Sequence, residues 1–231
     1  MLVFGKNVCI EILKKGIEVR KIYLQDNFND NIIISLIEKN KFNYKRLSKD
    51  KMDDLCNGLH QGIIFDVSDY KYASLDEVIG DNKVVVMLDH LEDPHNFGAI
   101  VRTCEAAGID AVIIPSDRSV EVNGTVCKTS VGTVYNTKII KVVNLVNTIK
   151  YLKDNGYWIV GTSLDTNIDY RDVDYSGNIC LVIGNEGSGI SNLVTKNCDY
   201  ITKIPMYGTT NSLNASVAAG IMIYEIIRNR K

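Results

Sequence analysis

No apolar run in these 231 residues approaches the roughly 18 needed to cross a bilayer, so the sequence offers no membrane-spanning helix. The start, Met1-Leu2-Val3-Phe4-Gly5-Lys6-Asn7, lacks a basic stretch followed by an apolar one, so no secretory signal is read and a cytoplasmic location is expected. The six cysteines (Cys9, Cys56, Cys104, Cys127, Cys180, Cys198) form no Cys-x-x-Cys pair, and several sit inside apolar runs such as Ile179-Cys180-Leu181-Val182-Ile183. Small buried hydrophobes in a reducing compartment explain them better than disulfides or zinc. Neither charge sign is in excess: 26 Lys and Arg stand against 28 Asp and Glu, with a pI near 5.9. Composition alone does not advertise a nucleic-acid binder. Internal repeats and low-complexity tracts are also missing.

What is present is an ordinary globular composition, 45% hydrophobic and 23% charged, enough for a real core. The length suits one large domain, or a small one followed by a medium one. Residues 1–70 carry 11 Lys and Arg against 10 Asp and Glu, and residues 71–231 carry 15 against 18. Lys39, Lys41, Lys45, Arg46, Lys49 and Lys51 make a local basic cluster, readable as a solvated face or as a nucleic-acid contact.

Residues 1–70 read as a small α/β unit. Helical spacing covers Val8–Lys15 and Asn29–Asn40, and strands are expected at Val19–Leu24, Tyr44–Leu47 and Ile63–Val67. The polar, acidic stretch 71–82 reads as a linker. Domain 83–231 then alternates strand and helix. Strands are expected at Val84–Asp89, Ala111–Pro115, Lys138–Val143, Tyr157–Gly161, Ile179–Ile183 and Ile201–Ile204. Helices are expected at Phe97–Ala107, Val120–Val131, Leu145–Asn155 and Leu213–Arg230. That alternation implies an α/β fold, a mostly parallel sheet with helices on both faces.

Three segments place small or polar residues where a strand hands over to a loop or helix, which is where open α/β sheets bind ligands. In Asp93-Pro94-His95-Asn96-Phe97-Gly98-Ala99-Ile100-Val101-Arg102, Asn96 reads as a helix N-cap, with Arg102 able to point toward the same end of the sheet. A capped helix with a snorkelling arginine is the blander alternative. Ile183-Gly184-Asn185-Glu186-Gly187-Ser188-Gly189 follows a strand, and its glycines let a ligand approach the backbone. Glu186 would repel a phosphate, so this is neither a dinucleotide fingerprint nor a phosphate loop. The carboxylate suits a helix start or an arginine partner. The run from Ile204-Pro205-Met206 to Ser212-Leu213-Asn214-Ala215-Ser216 and on to Gly220 is rich in small residues, fit for close helix packing or a ligand. His90 and His95 lie near Asp89, Glu92 and Asp93, but at no recognised zinc spacing, so no metal is expected.

Taken together, these three segments resemble the motifs of the SpoU-type (TrmH-like) RNA ribose 2′-O-methyltransferases. Gly5-Lys6-Asn7 and His60-Gln61-Gly62 resemble the ribosomal-protein-like RNA-binding domain of the bacterial 23S rRNA guanosine-2′-O-methyltransferase subgroup. The resemblance implies a C-terminal trefoil knot, S-adenosylmethionine as cofactor, RNA as partner and a homodimer formed through the knotted domain. It further implies that Thr162, Gly184, Asn185, Gly187, Ile204 and Leu213 surround the cofactor. Asn96, Arg102, Glu186, Ser212 and Asn214 would surround the reacting centre. Lys45, Arg46, His60 and Gln61 are the RNA-contact candidates of the first domain. A guanidinium stays protonated, so Arg102 reads better as a clamp on the adjacent phosphate than as a base, with Glu186 positioning Arg102 or Asn96.

Three alternatives remain at this point. A tRNA ribose methyltransferase of the same superfamily fits the motifs, although segment 1–70 favours 23S rRNA. A non-catalytic RNA-binding or ribosome-assembly protein fits the fold, although the polar motif residues argue against it. A nicotinamide-dependent dehydrogenase would need a glycine fingerprint after the first strand of the second domain, where none occurs.

Overall fold

The computed structural model describes residues 1–56 and 58–230, and these pack into two compact units. The first holds β1 (Leu2–Phe4), α1 (Lys6–Lys15), β2 (Val19–Gln25), α2 (Asn31–Lys39), β3 (Lys45–Leu47), α3 (Lys49–Leu55) and β4 (Ile63–Val67). Its four-stranded sheet has the order β1-β4-β2-β3, with β2 and β3 parallel and the other pairs antiparallel. The parallel pair follows from α2, the crossover helix between those strands. Asp30 caps α2 by accepting from the Ile33 amide at 3.3 Å, and Ile33 and Ile37, one turn apart, are fully buried. β1 and α3 were not expected. β1 is three residues long, and α3 is mostly charged, anchored by the buried Met52.

The same unit includes Val122–Asn136, which the sequence placed inside domain 83–231. The helix here, α5 (Gly124–Thr129), lies so close to β1 that a Cβ on Gly124 would come within 2.5 Å of the Leu2 carbonyl oxygen. Lys128 adds a 2.7 Å hydrogen bond to Gln61. α5 is also shorter than the expected Val120–Val131. The Val120 amide is spent on the Leu91 carbonyl, Asn123 caps the helix at the Val126 amide, and Val131 adopts a left-handed φ of 58°.

The second unit holds β5 (Val84–Asp89), α4 (Pro94–Ala107), β6 (Ala111–Pro115), β7 (Ile139–Val142), α6 (Leu145–Asp154), β8 (Tyr157–Thr162), β9 (Asn178–Gly184), α7 (Asn192–Thr195), β10 (Tyr200–Thr202) and α8 (Ala215–Arg228). All six strands are parallel, in the order β10-β8-β9-β5-β6-β7. β5 and β6 are buried at every position, which is why they read as unbroken apolar runs rather than alternating ones. Val85, Met87, Ile113, Ile159 and Val182 pack with Leu145, Ile149 and Leu152 of α6 on one face. The alternate residues turn to the other face, where α4 and α8 pack on the sheet and on each other. Among the described residues no helix is long and apolar enough to cross a membrane. The six cysteines are free thiols, and Cys9, Cys104, Cys127 and Cys180 are buried; burial pushes the Cys127 thiol up to about 11.

Candidate active site

The strand order decides where a site can form. The chain lays down β5, β6 and β7 in one direction, then returns to place β9 on the other side of β5. The crevice at the carboxyl ends of β5 and β9 is therefore the switch point, where open parallel sheets bind ligands.

Asp89 ends β5 beside Gly184, which ends β9. Asp89 is buried, takes the Ser191 amide on Oδ2 at 2.7 Å, and pairs through Oδ1 with His90 Nδ1 at 2.6 Å. His90 stands in the left-handed region at φ 57°, and its carbonyl accepts from Asn185 Nδ2 at 2.9 Å. The loop carrying Glu186 is thus fastened at both ends, to the last residue of β5 and to the residue after it. It also closes on itself, since Asn185 and Gly189 exchange backbone hydrogen bonds at 3.1 and 2.9 Å. Asp89 and His90 escaped the sequence reading as positioning groups because their partners lie about a hundred residues away.

The loop presents Glu186 to α4. Asn96 Nδ2 donates to Glu186 Oε1 at 2.5 Å, and Asn214 Nδ2 donates to Asn96 Oδ1 at 2.9 Å. Asn214 Oδ1 accepts in turn from Ser216, from its amide at 2.9 Å and its hydroxyl at 2.6 Å. Three elements separate in sequence thereby share one polar chain: Glu186, Asn96, Asn214. Asn96 is not the N-cap that the sequence suggested. Asp93 caps α4 through the His95 amide, and Pro94 occupies the first helical position, where its missing N–H costs nothing. The Asn96 side chain is thus free for its neighbours. Asn214 does cap α8, which starts at Ala215 rather than at the expected Leu213.

Arg102 stands apart from this chain. Six residues make about 1.7 turns, so Asn96 is buried while Arg102 is exposed, and the two do not share a face. Glu186 holds Asn96 and not Arg102. Among the described residues Arg102 has no hydrogen-bond or ion-pair partner.

A cavity of about 710 Å³ opens beside Glu186, over the carboxyl ends of β8, β9 and β10. Its walls include Thr162, Gly184, Asn185, Gly187, Ile204 and Leu213, together with Glu186 and Ser212. Asp165, Thr166, Lys203 and Met206, which the sequence did not single out, also line it. One wall is the segment after β8. Lys203 exchanges backbone hydrogen bonds with Ile168 and Tyr170 there, and the Arg171 guanidinium grips Asp169 at 2.8 and 2.7 Å, drawing its carboxyl down to about 2. Two carboxylates and one ammonium in the walls suit a cationic ligand better than a diphosphate. A second hollow, about 580 Å³, lies at the opposite end of the sheet, lined by residues 79–82, 155–156 and 177–178.

In the first unit the RNA-contact candidates are placed differently from one another. His60 is buried between Asp53, at 2.8 Å, and the Gly62 amide, at 2.9 Å. Gln61 accepts from Lys128 and from the Lys6 amide. Arg46 donates to the carbonyls of Gln25, Asp26 and Phe28. Lys45 is exposed with no side-chain partner among the described residues.

Residues 83–224 match the model of the SpoU rRNA Methylase family, and residues 2–73 match that of the RNA 2′-O ribose methyltransferase substrate-binding domain. The chain belongs to the SpoU rRNA methylase family. This SpoU protein is thus an RNA 2′-O-ribose methyltransferase. It is 43% identical over its whole length to 96% of a Staphylococcus saprophyticus protein named for the TrmH family of tRNA/rRNA methyltransferases. Its fold matches the SpoU methyltransferase AviRb of Streptomyces viridochromogenes, solved with AdoMet, at a TM-score of 0.85 and 24% identity over 100% of this chain and 90% of that one. The A. aeolicus TrmH/SpoU tRNA modifying enzyme covers 64% of this chain, and 75% of its own, at a TM-score of 0.59 and 36% identity.

Proposed function

We propose that this enzyme transfers a methyl group from S-adenosylmethionine to the 2′-hydroxyl oxygen of a guanosine in 23S rRNA, in the cytoplasm, releasing S-adenosylhomocysteine and the hydroxyl proton. The observation that carries the reading is the hydrogen-bonded chain Glu186–Asn96–Asn214 standing at the mouth of a cavity of suitable size and charge. S-adenosylmethionine supplies an electrophilic methyl on a sulfonium. Thr162, Asn185, Gly187 and the backbone around Gly184, Ile204 and Leu213 hold it in the cavity. The walls fit this group, offering apolar Ile183, Ile204 and Leu213 for a base and Asp165 and Thr166 for hydroxyls.

On the RNA side, Asn96, Ser212 and Asn214 orient the ribose, with Glu186 fixing the Asn96 amide. Arg102, free of any internal partner, clamps the adjacent phosphate and steadies the alkoxide charge that develops on the 2′-oxygen. Residues that hold the 2′-oxygen beside the methyl would lower the barrier by several kcal/mol, up to about 7–11 kcal/mol in ideal cases. We read the catalytic domain as carrying the C-terminal trefoil knot that the resemblance implies. Val217 and Tyr224, seven residues apart on α8 and 49% and 53% exposed, give that helix an apolar face that a second copy fits. We read the enzyme as a homodimer, which a sedimentation mass of one chain would contradict.

We take the substrate-binding domain over residues 2–73 as a reason to favour rRNA over tRNA, since the A. aeolicus tRNA modifying enzyme covers 64% of this chain. Labelled S-adenosylmethionine incubated with unmodified 23S rRNA or with tRNA separates the two. Label is expected in 23S rRNA as 2′-O-methylguanosine, lost with Arg102→Ala and reduced with Arg102→Lys, which cannot pair bidentately. Label in tRNA alone reverses the substrate assignment.

A further inference from the structure

We propose that Arg118 is a second phosphate anchor for the RNA, gripping the backbone beside the methylated nucleotide on the side of β5 away from the cofactor cavity. This rests on the RNA methyltransferase reading and extends it to a residue outside the three motifs. The chain has seven arginines, and Arg46, Arg171, Arg228 and Arg230 grip acceptors of their own fold. Among the described residues Arg20, Arg102 and Arg118 grip none. Arg118 alone of these three sits in the loop at the carboxyl end of a strand of the catalytic sheet, just after β6.

That loop is tied to the active site. Ser119 Oγ and the Val120 amide both donate to the Leu91 carbonyl, at 3.2 and 2.8 Å. Leu91 follows directly on Asp89 and His90, which fasten the Glu186 loop. The loops after β9, β5 and β6 are therefore laced together along one edge, with the cavity at one end and Arg118 at the other. Glu121, three residues on, pairs with Lys141 at 2.5 Å, and that ammonium also lies over the Tyr72 ring. Arg118 itself is exposed and held at φ 48°, a left-handed conformation that costs an arginine free energy and that glycine adopts freely. The fold gains nothing from arginine over glycine here, whereas a phosphate contact at this point uses its guanidinium.

The strain gives a test that separates RNA contact from a structural role. Arg118→Gly and Arg118→Lys are compared with wild type for melting temperature, S-adenosylmethionine affinity, and affinity for unmodified 23S rRNA and tRNA across a salt series. Arg118→Gly is expected to keep or raise the melting temperature and leave cofactor affinity unchanged. Its RNA Kd rises roughly tenfold, and the slope of log K against log salt falls by about 0.7. Arg118→Lys keeps the wild-type slope with intermediate affinity. Unchanged RNA affinity and slope in Arg118→Gly overturn the proposal, as does loss of RNA affinity together with melting temperature. Failure of the wild-type protein to bind either RNA overturns the RNA reading beneath it, a result distinct from both.

Discussion

Replacing Asn96 by alanine is expected to lower kcat about a hundredfold or more, with S-adenosylmethionine affinity nearly unchanged. Asn96 is the middle member of the chain Glu186–Asn96–Asn214, and the substitution removes both hydrogen bonds at once. Loss of one pre-positioned polar group at a reacting centre typically costs a factor of about 10²–10³. Stability falls by about 0.5–1.5 kcal/mol for each hydrogen bond lost, because Glu186 and Asn214 are exposed and regain water. The cofactor is expected to be spared because Asn96 does not line the cavity proposed for it. Single-turnover methyl transfer with titration of the cofactor separates the two effects. A kcat within threefold of wild type would remove Asn96 from the reacting centre.

Gly184→Ala is expected to abolish cofactor binding rather than catalysis alone. The added methyl would lie 2.2 Å from the Gly189 carbonyl carbon, 2.4 Å from the Ile190 nitrogen and 2.5 Å from the Gly189 oxygen, all backbone atoms with no side chain to rotate away. The Glu186 loop must open, breaking the Asn185–Gly189 pair and drawing on the ties to Asp89 and His90. Forced overpacking of this kind costs about 1–3 kcal/mol, or a fall in Tm of several degrees in a chain of this size. The cavity wall moves with the loop, so calorimetry should find cofactor affinity reduced at least about a hundredfold. Wild-type affinity in a folded Gly184→Ala variant would show that the loop does not shape the cofactor site.

The two predictions draw on different layers of what the sequence made legible. β9 is visible as an apolar run ending at Gly184, and the glycines after it announce a backbone-lined site. The steric reason for Gly184 is invisible in sequence, because the atoms it would strike belong to residues that fold back only in three dimensions. Asn96 was legible as important and misplaced as a cap. Asp93 and Asn96 both carry capping side chains, and Pro94 between them was the signal that the helix begins earlier. The links from Asn96 to Glu186 and Asn214 span about 90 and 118 residues. No periodicity reports such contacts; only the joint resemblance of the three segments brought them together in advance. Of the two partners the sequence offered Glu186, Asn96 is the one the fold supplies, and Arg102 lies about 120° further round the helix. The assignment of Val122–Asn136 to the first unit had no sequence signal, because Gly124 reads as an interior residue of the expected helix Val120–Val131 until Leu2 is found against it.

S-adenosylmethionine is expected to occupy the cavity at the carboxyl ends of β8, β9 and β10, beside Glu186 and Asn96. Ultraviolet crosslinking of labelled S-adenosylmethionine to the full-length protein, followed by peptide mapping, tests it most directly. Label is predicted on peptides covering residues 162–166, 183–190 or 203–218. Label on residues 79–82, 155–156 or 177–178, at the other end of the sheet, would contradict it.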